Sequence, residues 1–269
     1  MTTPPTILPL KLDKVSFEAG GKRLIKDMTC TFEAGPKTVI VGPNGAGKSL
    51  FLRLCHGLLN PSEGKVIWHG RDDVDPRLYQ AMVFQRPVML RRSVSANIDY
   101  ALKLRNIPKA ERLRLIDESL DRAGLSRLRD HPARVLSFGE QQKLALARAW
   151  ALKPQVLFLD EPTASLDPAA TYSVEEIVLA IHQQGTRIIM TTHDLGQAKR
   201  IADDVIFLNR GRMLERAPAA KFFDQPDNDL ARAFVRGELL WWRIGKDNKR
   251  RQGGPKRSTK PRPHSGQET

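Results

Sequence analysis

Gly42-Pro43-Asn44-Gly45-Ala46-Gly47-Lys48-Ser49 lies between two stretches of opposite habit. Before it, Thr38-Val39-Ile40-Val41 is short, apolar and β-branched, the pattern of a buried parallel strand. After it, Leu50-Phe51-Leu52-Arg53-Leu54-Cys55 reads as a helix. The glycines let successive backbone N–H groups converge on an anion. The start of the helix adds a partial positive charge at the same point. Lys48 is placed to reach the β- and γ-phosphates, and Ser49 to offer its hydroxyl to Mg2+. The stretch implies an α/β domain that binds a nucleoside triphosphate.

Further along, Gln155-Val156-Leu157-Phe158-Leu159 runs into Asp160-Glu161, a core strand ending in two acids. Open α/β sheets place ligands at that carboxyl edge. Asp160 is positioned to hold magnesium directly or through water, and Glu161 to polarise an attacking water. Between the two regions lies Leu136-Ser137-Phe138-Gly139-Glu140. Ser137 and Gly139 start a helix expected to be amphipathic over Gln141–Trp150. They form either a second anion site or a simple N-cap, and the residues alone leave both readings open.

In order along the chain stand the Gly42–Ser49 loop, Gln85, Ser137-Phe138-Gly139-Glu140, Asp160-Glu161, Ser165-Leu166-Asp167 and His193. This order resembles the ATPase subunits of ATP-binding-cassette (ABC) transporters, over roughly residues 8–240. The resemblance implies a P-loop NTPase core with an N-terminal antiparallel β layer and an α-helical signature subdomain at about 87–150. It implies ATP and Mg2+ as ligands. Gly42, Pro43, Asn44, Gly45, Ala46, Gly47, Lys48, Ser49 and Leu50 would bind nucleotide, and Ser49, Gln85 and Asp160 the metal. Glu161, His193 and Gln85 would be catalytic, His193 as the γ-phosphate switch. Ser137 and Gly139 would contact ATP held by a second copy, with Asp167 at the dimer interface. Two departures stand out. The usual Leu-Ser-Gly-Gly-Gln is Leu-Ser-Phe-Gly-Glu here, and the adenine-stacking aromatic is replaced by Ala19, with Phe17 as a substitute.

Composition sets the limits. With 269 residues the chain is one large domain over 8–244 plus a basic tail at 245–269, read as disordered. No apolar run nears the roughly 18 residues a membrane span needs, so any permease is a separate polypeptide. There is no signal-peptide layout, and Cys30 and Cys55 are expected reduced and buried. The resemblance implies a peripheral place at the cytoplasmic face of the inner membrane. A periplasmic binding protein would be an indirect partner. The net charge of +14 invites a nucleic-acid reading. Against it, eight Lys and Arg and two acids sit in the tail. That tail could touch RNA, touch anionic lipid, or simply remain solvated.

The core is expected to be parallel over 38–60 and 154–215. An antiparallel layer is expected from 8–35 and a strand between Gly64 and Gly70. Residues 92–150 read as mostly helical with breaks at Pro108 and Pro132, and 215–244 as a helical close ending in Trp241 and Trp242. Val83–Val94 and Phe234–Leu240 resemble the tungstate branch of anion importers, with phosphate and molybdate importers as neighbours. The alternatives are a soluble ABC ATPase acting on ribosomes or DNA, and an exporter ATPase.

Overall fold

The structure, a computed structural model, describes residues 6–70 and 73–238. The tail at 245–269 and Trp241 and Trp242 lie outside them. The strands are β1 (Leu10–Ala19), β2 (Lys22–Phe32), β3 (Thr38–Val41), β4 (Glu63–Trp68), β5 (Gln80–Val83), β6 (Val156–Asp160), β7 (Arg187–Thr191), β8 (Asp204–Asn209) and β9 (Arg212–Pro218). The helices are α1 (Lys48–His56), α2 (Val94–Leu104), α3 (Lys109–Arg122), α4 (Phe138–Ala151), α5 (Pro168–Gln183), α6 (Leu195–Ile201), α7 (Ala219–Asp224) and α8 (Asp229–Val235).

Two sheets form, in the orders β2-β1-β4 and β5-β6-β7-β3-β8-β9. The first is antiparallel, as expected. The second is parallel from β5 to β8. Two boundaries of the expected parallel core are corrected. Strand β5 lies outside the spans 38–60 and 154–215, yet forms one edge of the sheet. At the other edge, the turn Arg210-Gly211 has positive φ at both residues and folds β9 back antiparallel on β8. The helical close therefore starts at Ala219 and not at 215.

Alternation along the buried strands divides the core in two. Val39, Val41, Leu157, Leu159, Ile188, Met190, Val205 and Phe207 face one cluster with α2–α6. Ile40, Val156, Phe158, Ile189, Ile206 and Leu208 face the other, with α1 and the antiparallel sheet. Helix α1 is thus clamped between two sheets by Phe51, Leu52, Leu54 and Cys55. That clamp fixes where its N-terminus points.

Helix α4 departs from the amphipathic expectation. Leu144, Ala145, Leu146 and Ala147 are all buried, more than one stripe can cover. Alternate alanines at 145, 147, 149 and 151 let neighbouring elements approach it on several sides. Phe17 is half-buried against the second core cluster, and Ala19 is exposed at the end of β1. Cys30 and Cys55 are free and buried, and burial pushes the Cys30 thiol up to about 12.

At the end of α1, His56 meets the edge of Phe158 with ring centroids 5.5 Å apart. Burial lowers its pKa from 6.5 to about 4. The unfolded chain then takes up this proton first as pH falls, so stability drops between pH 6.5 and pH 4. We expect His56→Leu to flatten that part of the pH dependence. Urea midpoints across the interval check it; parallel curves for parent and variant would contradict it.

Candidate functional site

The candidate site is built at the carboxyl edge of β3, β6 and β7. The loop leaving β3 turns back on itself at Gly42, whose φ is +150°. A Cβ there would stand 2.1 Å from the Leu208 carbonyl oxygen, so only glycine fits. The loop closes with Ala46 N–H donating to the Pro43 carbonyl at 3.1 Å. Gly211 N–H donates to the Ala46 carbonyl at 2.9 Å, tying the loop to the β8–β9 turn. Gly47 is the N-cap of α1 and supplies no side-chain cap, so the first helical N–H groups are left for a ligand.

Lys48 is only 6% exposed, and an ammonium at that depth needs partners. Its Nζ donates to the Gly42 carbonyl at 3.0 Å and lies 3.3 Å from Glu161 Oε1. The other Glu161 oxygen is 2.9 Å from His193 Nδ1. Glu161 has a φ of +46°, a left-handed conformation uncommon outside glycine. Its N–H is shared between the Thr191 hydroxyl at 3.0 Å and the Thr191 carbonyl at 3.1 Å. Strain of this kind persists where the surroundings over-determine it.

Asp160 is nearly buried. Its Oδ1 accepts from Ser49 Oγ at 2.7 Å and from Thr191 Oγ1 at 2.9 Å. Its Oδ2 faces the Arg53 guanidinium at 3.9 Å. No group of three or more His, Cys, Asp or Glu among the described residues could hold a metal alone. One carboxylate beside one hydroxyl suits Mg2+, which takes few protein ligands and the rest from phosphates and water.

Of the residues singled out in the sequence, Gly42, Lys48, Ser49, Asp160, Glu161 and His193 come together here. Pro43, Asn44, Gly45 and Ala46 form the loop, and Leu50 packs beneath it on the second core cluster. Gln85 sits exposed just beyond β5. Ser137, Gly139 and Asp167 form a separate cluster, lining a hollow with Phe138, Glu140 and Leu166. Gly139 permits this approach of α4 to α5, since a Cβ on it would be 3.2 Å from Ala170 Cβ.

Glu140, which stands where the resembled family has Gln, is turned back on Ser137. Ser137 N–H and Oγ each donate to Glu140 Oε2 at 2.8 Å, and Glu140 N–H donates to Ser137 Oγ at 3.3 Å. This is a capping box. The Ser137 hydroxyl holds the Glu140 carboxyl below its ordinary value. Asp167 likewise caps α5 by accepting from Ala170 N–H at 2.8 Å.

Two site residues escaped the sequence reading. Thr191 was passed over for His193, although a hydroxyl residue ending an apolar strand at the ligand edge was a usable signal. Arg53 gave none, because α1 carries it one turn beyond the loop and only the packed sheet brings Asp160 beside it.

A family model described as ABC transporter matches residues 25–164. A tungstate uptake system ATP-binding protein from Peptoclostridium acidaminophilum is 40% identical over 73% of this chain and 92% of its own length. A phosphate import ATP-binding protein from Natronomonas pharaonis is 35% identical over 84% of this chain and 86% of its own. Importer ATPases named for methionine, from Corynebacterium diphtheriae, and for Fe(3+), from Mannheimia succiniciproducens, are each 34% identical. A dimeric ATP-binding cassette in a post-hydrolysis state with ADP and Pi superposes with a TM-score of 0.70. It is 26% identical, over 78% of this chain and 98% of its own.

Because Ser137 caps α4 in the isolated protomer, Ser137→Ala should cost about 1 kcal/mol of stability without any nucleotide present. Urea unfolding measures it; an unchanged midpoint would mean that the cap carries no weight.

Proposed function

The chain belongs to the ABC transporter ATPases, and from that premise we propose that it drives uptake of a small oxyanion, tungstate, through a separate membrane permease. It is an ATP hydrolase of the importer type. The observation that carries the mechanism is the joined cluster of Lys48, Glu161 and His193 beside Ser49 and Asp160.

ATP would lay its phosphates in the turn from Gly42 to Ser49, against the N–H groups that open α1. A triphosphate carries more charge than Glu161 and competes with it for Lys48. Release of Glu161 from Lys48 leaves its carboxylate, still hydrogen-bonded to His193, free to orient and deprotonate an attacking water. Ser49 and Asp160 would hold Mg2+, which when bound neutralises charge on the phosphates. Gln85, at the end of β5, would report the occupied site to the helical subdomain (about 87–150).

Ser137, Gly139 and Asp167 stand apart from this cluster within one protomer, which favours completion of each site by a second copy. The dimeric relative holding ADP and Pi supports that arrangement. On this reading closure follows ATP, and hydrolysis reopens the dimer. The permease would seat in a groove of about 240 Å3 between β5, α2 and α4, lined by Phe84, Pro87, Val88, Ala101 and Leu152. No helix among the described residues is long and apolar enough to cross a membrane. We place the chain peripherally on the cytoplasmic face, beside its permease.

Glu161→Gln should lower ATP turnover by at least about 100-fold while accumulating an ATP-bound dimer on size exclusion. Parental turnover would remove Glu161 as the base. Lys48→Ala should weaken ATP binding by roughly 10- to 100-fold, the loss of a charge-assisted hydrogen bond, as read by calorimetry. For the cargo, deletion of the gene should abolish uptake of labelled tungstate and spare phosphate uptake. Intact tungstate uptake would refute that assignment.

A further inference from the structure

We propose that Thr191 is a positioning residue that holds the Asp160 carboxylate in its metal-binding orientation. This rests on the nucleotide-site reading above and extends it to a residue that reading does not use.

Thr191 closes β7, parallel to β6, and is paired in register with Asp160. It is fully buried at 0% exposure. Both functions of its hydroxyl are engaged: it donates to Asp160 Oδ1 at 2.9 Å and accepts from Glu161 N–H at 3.0 Å. The three residues before it on β7, Ile188, Ile189 and Met190, are apolar and fully buried. A hydroxyl in such a place is costly unless bonded, and here it is bonded to the two acids of the site.

The second donor to Asp160 Oδ1 is Ser49 Oγ at 2.7 Å. Ser49 is also the hydroxyl positioned for the metal: its proton is directed at Oδ1, and a lone pair of its oxygen remains for Mg2+. Of the two donors, Thr191 is the one held in the sheet beside Asp160, so it would stay fixed if Ser49 shifted with a bound metal. On this proposal the carboxylate is kept from rotating, with Oδ2 held 3.9 Å from the Arg53 guanidinium. Outer-shell donors of this kind orient ligating carboxylates and tune affinity. The Glu161 N–H retains the Thr191 carbonyl at 3.1 Å even without the hydroxyl. Loss of the hydroxyl therefore falls chiefly on Asp160.

The test is Mn2+ titration of the full chain with saturating ADP, followed by electron paramagnetic resonance. Thr191→Val keeps the shape and removes the hydroxyl. It should raise the Mn2+ dissociation constant by about 10-fold or more, while Thr191→Ser stays within about 3-fold of the parent. If the valine variant does not fold, Thr191→Ala must show the same loss. Parental Mn2+ affinity in the valine or alanine variant would overturn the proposal, as would a serine variant as weak as valine. ADP binding in EDTA reports the loop alone. A parent that fails to bind ADP there would overturn the nucleotide-site reading, and Thr191 with it. Intact ADP binding with unchanged Mn2+ affinity would sink the Thr191 role alone.

Discussion

A buried ammonium has to be neutralised where it sits, and the architecture around Lys48 follows from that requirement. Its partners are a carbonyl from its own loop and a carboxylate from a strand end far along the chain. Both must be delivered to within hydrogen-bond range by elements that cannot drift. Helix α1 supplies one half, because its apolar face is trapped between two sheets. Strand β6 supplies the other, since all five of its residues are buried and it is paired in register with β5 on one side and β7 on the other.

The same pair is suited to change. Lys48 and Glu161 neutralise each other, and a bound triphosphate would offer Lys48 a stronger partner. Glu161 has a second contact to His193 and a constrained backbone, so release from Lys48 would not let it wander. A loop cross-linked by polar side chains holds the neighbouring segment: Gln197 donates to Thr163 at 2.8 Å and to Glu175 at 3.0 Å, and Arg200 grips Glu175 at 2.7 Å. The turn from Glu161 toward Asp167 is thereby tied to α5 and α6. The hollow around Ser137 and Asp167 thus stands on a firm base, although it lies apart from the Lys48 cluster.

Much of this was legible in the residue pattern. The strand before Gly42, the helix after Ser49 and the strand before Asp160 all read correctly, because each carries a full local signal. Strand β5 was missed as part of the parallel sheet because Gln80–Val83 is four residues long with no periodicity to display. Helix α4 was expected to show one apolar stripe. Its alanines are neutral on that point, and only packing shows that they are covered on several sides.

From its residues alone, the chain declares a phosphate-cradling loop, two acids at a strand end and the order of its motifs. Those features are local: backbone freedom at glycine, strand apolarity and helix capping act over a few positions. Tertiary structure decided that Thr191 Oγ1 donates to Asp160, that Glu140 turns onto Ser137, and that Arg53 comes within 3.9 Å of Asp160 Oδ2. Each of these depends on strands adjacent in the sheet but distant in the chain, or on a rotamer chosen by its surroundings. Spacing along one dimension carries neither.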